Sequence, residues 1–157
     1  MKKNGFSLVE LLAVIVILGV IAVITSPVIM GVIEDSRQSA FKSSLNGVKK
    51  AIENDYSDHN FDTNRKYYYG GYQNGTGGAS DKKLVVLVGP STYEEIEMSG
   101  EVNGKGMGSV NSSGSIAVGL YTDQFCGVAK GNDVEVKKID SEISVSDCIA
   151  WINGEQY

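Results

Sequence analysis

Apolar and polar positions follow three successive patterns along the chain. From Phe6 to Ser26 there are 21 residues with one charge, Glu10. As a helix this run is about 31 Å long, which matches the hydrocarbon thickness of a bilayer. It continues through Val28, Ile29, Met30, Val32 and Ile33, so its length argues for a retained anchor over a secretory signal cut near Ala22 or Ser26. Lys2 and Lys3 precede the run while Glu34 and Asp35 follow it. The positive-inside bias therefore predicts a cytoplasmic N-terminus with the bulk of the chain outside.

The second pattern begins after Pro27. Ile29, Ile33, Phe41, Leu45, Val48, Ile52 and Tyr56 recur largely at steps of three and four, which predicts an amphipathic helix. Arg37, Lys42, Lys49, Lys50 and Glu53 fill much of its wet side, and Asn46-Gly47 is read as a tolerated defect rather than a turn. Pro27 has no amide hydrogen to donate, so it predicts either a kink or loosened stretch, or the end of a first helix. Gly19 and Gly31 add weak points. Together the two patterns predict one N-terminal helix of roughly 50 residues, hydrophobic over 6–33 and amphipathic over 34–56, its second half docked on the C-terminal domain.

In the third pattern, 57–83 is rich in Asn, Asp, Gly and Tyr and reads as a connecting loop, with the tyrosines of Tyr67-Tyr68-Tyr69-Gly70-Gly71-Tyr72 either pinning it to its own domain or offering a surface to glycans or neighbouring subunits. Strands are predicted at Leu84 to Val88, Thr92 to Met98, Ser115 to Thr122, Asp133 to Lys138 and Asp147 to Ile152, with a tight turn at Asn103-Gly104. Fourteen of the 19 glycines fall between Gly70 and Gly131, which assigns turns and bulges to that region and helix to the earlier one. The expectation is an α+β fold, one globular domain in which an antiparallel sheet over 84–157 lies against the long helix.

A formal charge of -5 with no dense Lys/Arg run speaks against nucleic acid as a main partner. The two cysteines, Cys126 and Cys148, are too few and too widely spaced for a structural zinc. They leave open one disulfide in an oxidising space or two buried free thiols. Catalysis finds little support: the single histidine, His59, sits in a polar loop, and no serine elbow, phosphate loop or metal-ligand helix surrounds it. Asp55, Asp58 and Asp62 lack a calcium-loop pattern. Glu94, Glu95 and Glu97 read as a solvated strand edge, and Cys126 has no evident base. No cofactor or metal is expected. Asn74-Gly75-Thr76 and Asn111-Ser112-Ser113 match the glycosylation triplet.

Glu10 is the oddity of the apolar run, because a carboxylate inside such a helix costs on the order of 2 to 3 kcal/mol and requires a partner or an interfacial position. Its surroundings, Gly5-Phe6-Ser7-Leu8-Val9-Glu10-Leu11-Leu12 after a short basic leader, resemble the processing site of type IV pilins and pseudopilins. The resemblance covers about the first 27 residues. It implies that a membrane prepilin peptidase cuts after Gly5 and removes the 1–5 leader, that Phe6 becomes the N-methylated terminus, and that Glu10 takes the glutamate position used in assembly. Cleavage creates an ammonium on Phe6 able to pair with a Glu10 carboxylate of an adjoining subunit, setting register more than strength. Loss of Lys2 and Lys3 shifts the formal charge from -5 to -7 and removes the inside anchor. The family frequently carries a proline where Pro27 stands and a C-terminal disulfide loop, which makes Cys126 and Cys148 candidate partners.

The resemblance further implies a pilin: a membrane precursor lifted by an assembly platform and motor into an extracellular filament of identical or related subunits. Its partners before assembly are membrane lipid and the peptidase/methyltransferase. Two other readings stay open on the residues alone, a pseudopilin of a type II-like secretion system and a membrane-anchored surface-binding module that does not polymerise.

Overall fold

A computed structural model describes residues 7–60, 62–70, 83–88, 92–100, 102 and 104–156. Its elements are α1 (Leu8–Asp58), β1 (Lys66–Tyr69), β2 (Leu84–Leu87), β3 (Tyr93–Ile96), β4 (Lys105–Val110), β5 (Ile116–Tyr121), β6 (Phe125–Lys130), β7 (Asp133–Lys138) and α2 (Val145–Glu155). The architecture is α+β. Contacts divide the chain into two compact units, Met1–Arg37 and Gln38–Tyr157. The first is helical from Leu8 onward. Its large apolar side chains from Leu8 to Ile33 are 46 to 78% exposed, so this stretch has no protein core of its own to enter. Among the described residues α1 is the one helix long and apolar enough to cross a membrane.

In the second unit the rest of α1 supplies Phe41, Leu45, Val48, Ala51, Ile52 and Tyr56 to the core, and the helix runs through Asn46-Gly47 without a turn. It lies against one face of a seven-stranded sheet in the order β3-β2-β1-β4-β5-β6-β7, with every neighbouring pair antiparallel. Ile116, Val118 and Leu120 of β5 alternate toward that helix, as period-two patterning requires. Close approach depends on the absence of a side chain at Gly127: a Cβ there would stand 2.6 Å from Leu45 Cδ1 and 3.0 Å from Phe41 Cε1.

The opposite face of β5 and β6 is covered by α2. Here the strand predicted at 147–152 is corrected to a helix. Ser144 caps it, accepting from the Asp147 amide at 3.3 Å while the Asp147 carboxylate accepts from the Ser144 amide at 2.9 Å. This capping box commits the segment to helix, and Cys148 and Ile152, four apart, then share its buried face. Gly119 makes room for that face, since a Cβ would lie 2.3 Å from Ile152 Cγ2. A disulfide joins Cys126 of β6 to Cys148 of α2. Lys137 Nζ stands 3.7 Å above the Trp151 ring, adding a cation–π contact between β7 and α2.

The loop expected over 57–83 is also corrected, because it contains β1 in the interior of the sheet. Tyr67 and Tyr69 are fully buried, and the Tyr69 hydroxyl donates to Val102 O at 2.7 Å and accepts from Val102 N at 2.8 Å, pinning the connection after β3. Two of the tyrosines read as loop residues are therefore core residues with their polar ends satisfied. Strands β4 and β6 were not predicted, and the sheet proper begins before 84 and ends before α2. Asn103 of the turn expected at Asn103-Gly104, and the triplet at Asn74, fall on residues outside the description.

Candidate functional site

The functional chemistry expected of this chain is concentrated in its first unit. At the start of α1 the Ser7 amide donates to Glu10 Oε2 at 2.9 Å, and Leu11 N donates to Ser7 O at 3.2 Å. Glu10 thus sits in the first turn, where a carboxylate meets unpaired amides and the positive end of the helix dipole. Farther along, the Thr25 hydroxyl donates to Ile21 O at 3.0 Å, two residues before Pro27, which stands inside the helix. Gly5 and Phe6 lie outside the described residues.

A family model for the prokaryotic N-terminal methylation motif matches residues 1–26. The chain carries the type IV pilin and pseudopilin signature. Comparison with curated proteins and with solved structures gives no match. The matched span includes Gly5, Phe6 and Glu10, and the signature points to a structural subunit processed by a prepilin peptidase. With the long apolar helix, it fits a membrane-anchored precursor and an assembled filament. The folded unit of this pilin-like chain carries no comparable signature.

In that unit the described residues bring together one buried polar cluster that was not anticipated. Asp55, 8% exposed, accepts from Arg65 Nε at 3.0 Å and Arg65 Nη2 at 3.1 Å, a bidentate pair, and from the Tyr67 hydroxyl at 2.9 Å. Burial works to lower the Arg65 value, but the hydrogen bond and charge of Asp55 outweigh it and hold the guanidinium value above its ordinary one. Burial, and after it Asp55, pushes the Tyr67 hydroxyl well above its ordinary value. The cluster fastens the last turns of α1 to β1. Asp55 is thereby committed to an ion pair, and Asp58 and Asp62 form no metal cluster with it among the described residues.

His59, expected to be a solvated loop residue, is only partly so: its Nδ1 lies 2.9 Å from Asp55 O and 3.2 Å from Asp55 Oδ1. Glu94 and Glu95 do lie exposed on β3, an edge strand. Asn111 is engaged in its own turn, accepting from the Ser113 amide and hydroxyl at 3.0 and 2.7 Å and from Ser115 N at 2.8 Å. Cys126 is held in the disulfide. The alternation of Tyr67 and Tyr69 was the one local sign that the tyrosine run belonged to a strand; nothing local marks Arg65 as the partner of Asp55, ten residues away.

Proposed function

We propose that this chain is the subunit of a type IV pilus, polymerised through its N-terminal helix into a surface filament serving adhesion, motility or aggregation. The observation that carries the reading is the methylation motif over 1–26 on a helix whose apolar side chains from Leu8 to Ile33 are all exposed. Such a surface demands lipid or copies of itself, and a bundle of the same helices satisfies it in both settings.

On this reading the precursor sits with its N-terminus in the cytoplasm and its folded unit outside. Cleavage after Gly5 leaves a methylated, positively charged Phe6. That ammonium meets Glu10 of an adjoining copy, while Pro27 lets the helix bend or loosen as it enters the filament. Related pilins, the peptidase/methyltransferase and an assembly platform with its motor are the partners.

The N-terminal sequence and intact mass of protein in sheared surface material test this. A start at methylated Phe6 supports it. A start at Met1, or beyond Ser26, refutes it in favour of a plain anchor or a secreted domain. Gly5→Ala is expected to block processing, whereas Glu10→Ala permits processing but impairs incorporation.

A further inference from the structure

Charges in the second unit are unevenly placed around α1. Positions 51 and 58 share one flank of the helix, positions 42 and 49 share the opposite one about 180° away, and position 50 lies between the two. Beside the first flank lies a groove of about 510 Å3, lined by Ala51, Asn54 and Asp58 and, across from them, by Glu94, Glu97 and Met98. Asp58, Glu94 and Glu97 have no cationic partner among the described residues. Glu95 is held by Lys83, and Asp55 by Arg65. Three carboxylates with no cationic partner among the described residues therefore mark the β3 side of the helix.

Beside the other flank lies a groove of about 610 Å3, lined by Lys49, Lys50 and Glu53 and by the turns at Ser113 and Asn132. Lys49 is engaged by the Gly131 carbonyl and by Glu53 at 3.4 Å. Lys50, with its side chain 72% exposed, makes only a 3.5 Å contact with Glu53. Lys42, two turns earlier on the flank of Lys49, is exposed and has no acidic partner among the described residues. This side offers cations.

We infer that the two flanks meet between neighbouring copies, Lys42 and Lys50 of one facing Asp58, Glu94 and Glu97 of the next. The inference rests on the filament reading. A contact between two different surfaces is heterologous, so it propagates into a helical array instead of closing a dimer. A two-fold contact through either flank alone would set like charges together. With a formal charge of -5, and -7 after loss of Lys2 and Lys3, copies repel one another in general, and a locally matched contact selects the one arrangement in which they do not. Isolated exposed ion pairs contribute little, so the contact acts on register and partner choice.

The test is made in the cells that produce the protein, measuring sheared filament yield. One variant carries Glu94→Lys and Glu97→Lys, a second carries Lys42→Glu and Lys50→Glu, and a third carries all four. Each pair alone is expected to lower the yield by about tenfold because like charges then face each other, and the four together, or co-expression of the two pair variants, to restore it to within about twofold. Restoration by co-expression excludes misfolding, since neither chain is altered by the other's presence. Undiminished yields from the pairs, or a combined variant as poor as either, overturn the contact. A wild-type chain that yields no filaments overturns the filament reading, and this contact with it.

Discussion

Replacing Arg65 by Met removes the cation from the Asp55 cluster while keeping much of the aliphatic stem. Asp55 loses two of its three donors within 3.1 Å and keeps the Tyr67 hydroxyl at 2.9 Å, with His59 Nδ1 at 3.2 Å. Breaking a buried pair by removing one partner costs about 3 to 5 kcal/mol, chiefly the desolvation of the charge left behind. The remaining donors place this case at the low end, about 3 kcal/mol. For a domain with a urea slope of about 1.5 kcal/mol/M, that lowers the midpoint by about 2 M. The full chain in detergent micelles provides the assay, with fluorescence of Trp151, the sole tryptophan, reporting release of α2 from the sheet. Adding Asp55→Asn to the same chain removes the orphaned charge and is expected to recover part of the loss. A loss below about 1 kcal/mol for Arg65→Met, or no recovery in the double variant, would refute the view that this cluster locks the end of α1 to β1.

Gly127→Ala is expected to destabilise the folded unit by about 1 to 3 kcal/mol, because its methyl group meets Leu45, Phe41 and the Glu135 carbonyl at once; the same urea titration checks it. Replacing both Cys126 and Cys148 by Ala frees a 22-residue separation and is expected to cost about 3 kcal/mol through the unfolded chain, read as a fall in thermal midpoint. Hydrogen bonds from the Ser144 hydroxyl and amide hold Asp147 below its ordinary value, and the amides of Glu142 and Ile143 do the same for Asp140. Depressed folded values mean a contribution that is full above about pH 4 and lost as pH falls through them, so thermal stability in acid falls more steeply for wild type than for Ser144→Ala. Tyr67 has the opposite sign: its raised folded value contributes stability that is complete below about pH 10 and lost at higher pH, so Tyr67→Phe flattens alkaline unfolding.

Legibility in the sequence tracked how local each determinant was. The helix over Leu8–Asp58 is readable because its first half is a long unbroken apolar run and its second half carries apolar residues every three or four positions, and Val118 and Val134 announce their strands by alternation with neighbours. Strands β4 and β6 escaped because Gly106, Gly108 and Gly127 broke that alternation. Those glycines had been assigned to turns for their backbone freedom. At Gly127 the requirement is space, imposed by Leu45 and Phe41, residues more than 80 positions earlier. The Asp147–Ile152 segment shows the converse error. Its apolar residues suit a short strand, but the Ser144–Asp147 capping box at its start decides for helix.

The same distinction separates the two candidate sites. A processing enzyme must read a contiguous stretch of chain before or apart from the folded unit, so the motif from Gly5 to Leu12 is legible in the sequence as written. The Asp55–Arg65–Tyr67 cluster exists only once α1 has ended and β1 has entered the sheet beside β4, and no spacing rule connects an acid on a helix to an arginine in the loop beyond it. The charged flanks of α1 stand between these cases. Lys42 and Lys50 belong to the helix pattern, but Glu94 and Glu97 come beside Asp58 only through the sheet order that places β3 at its edge. On the filament reading, entry is thus specified by a local signal, while any choice among neighbouring copies must be specified by the fold.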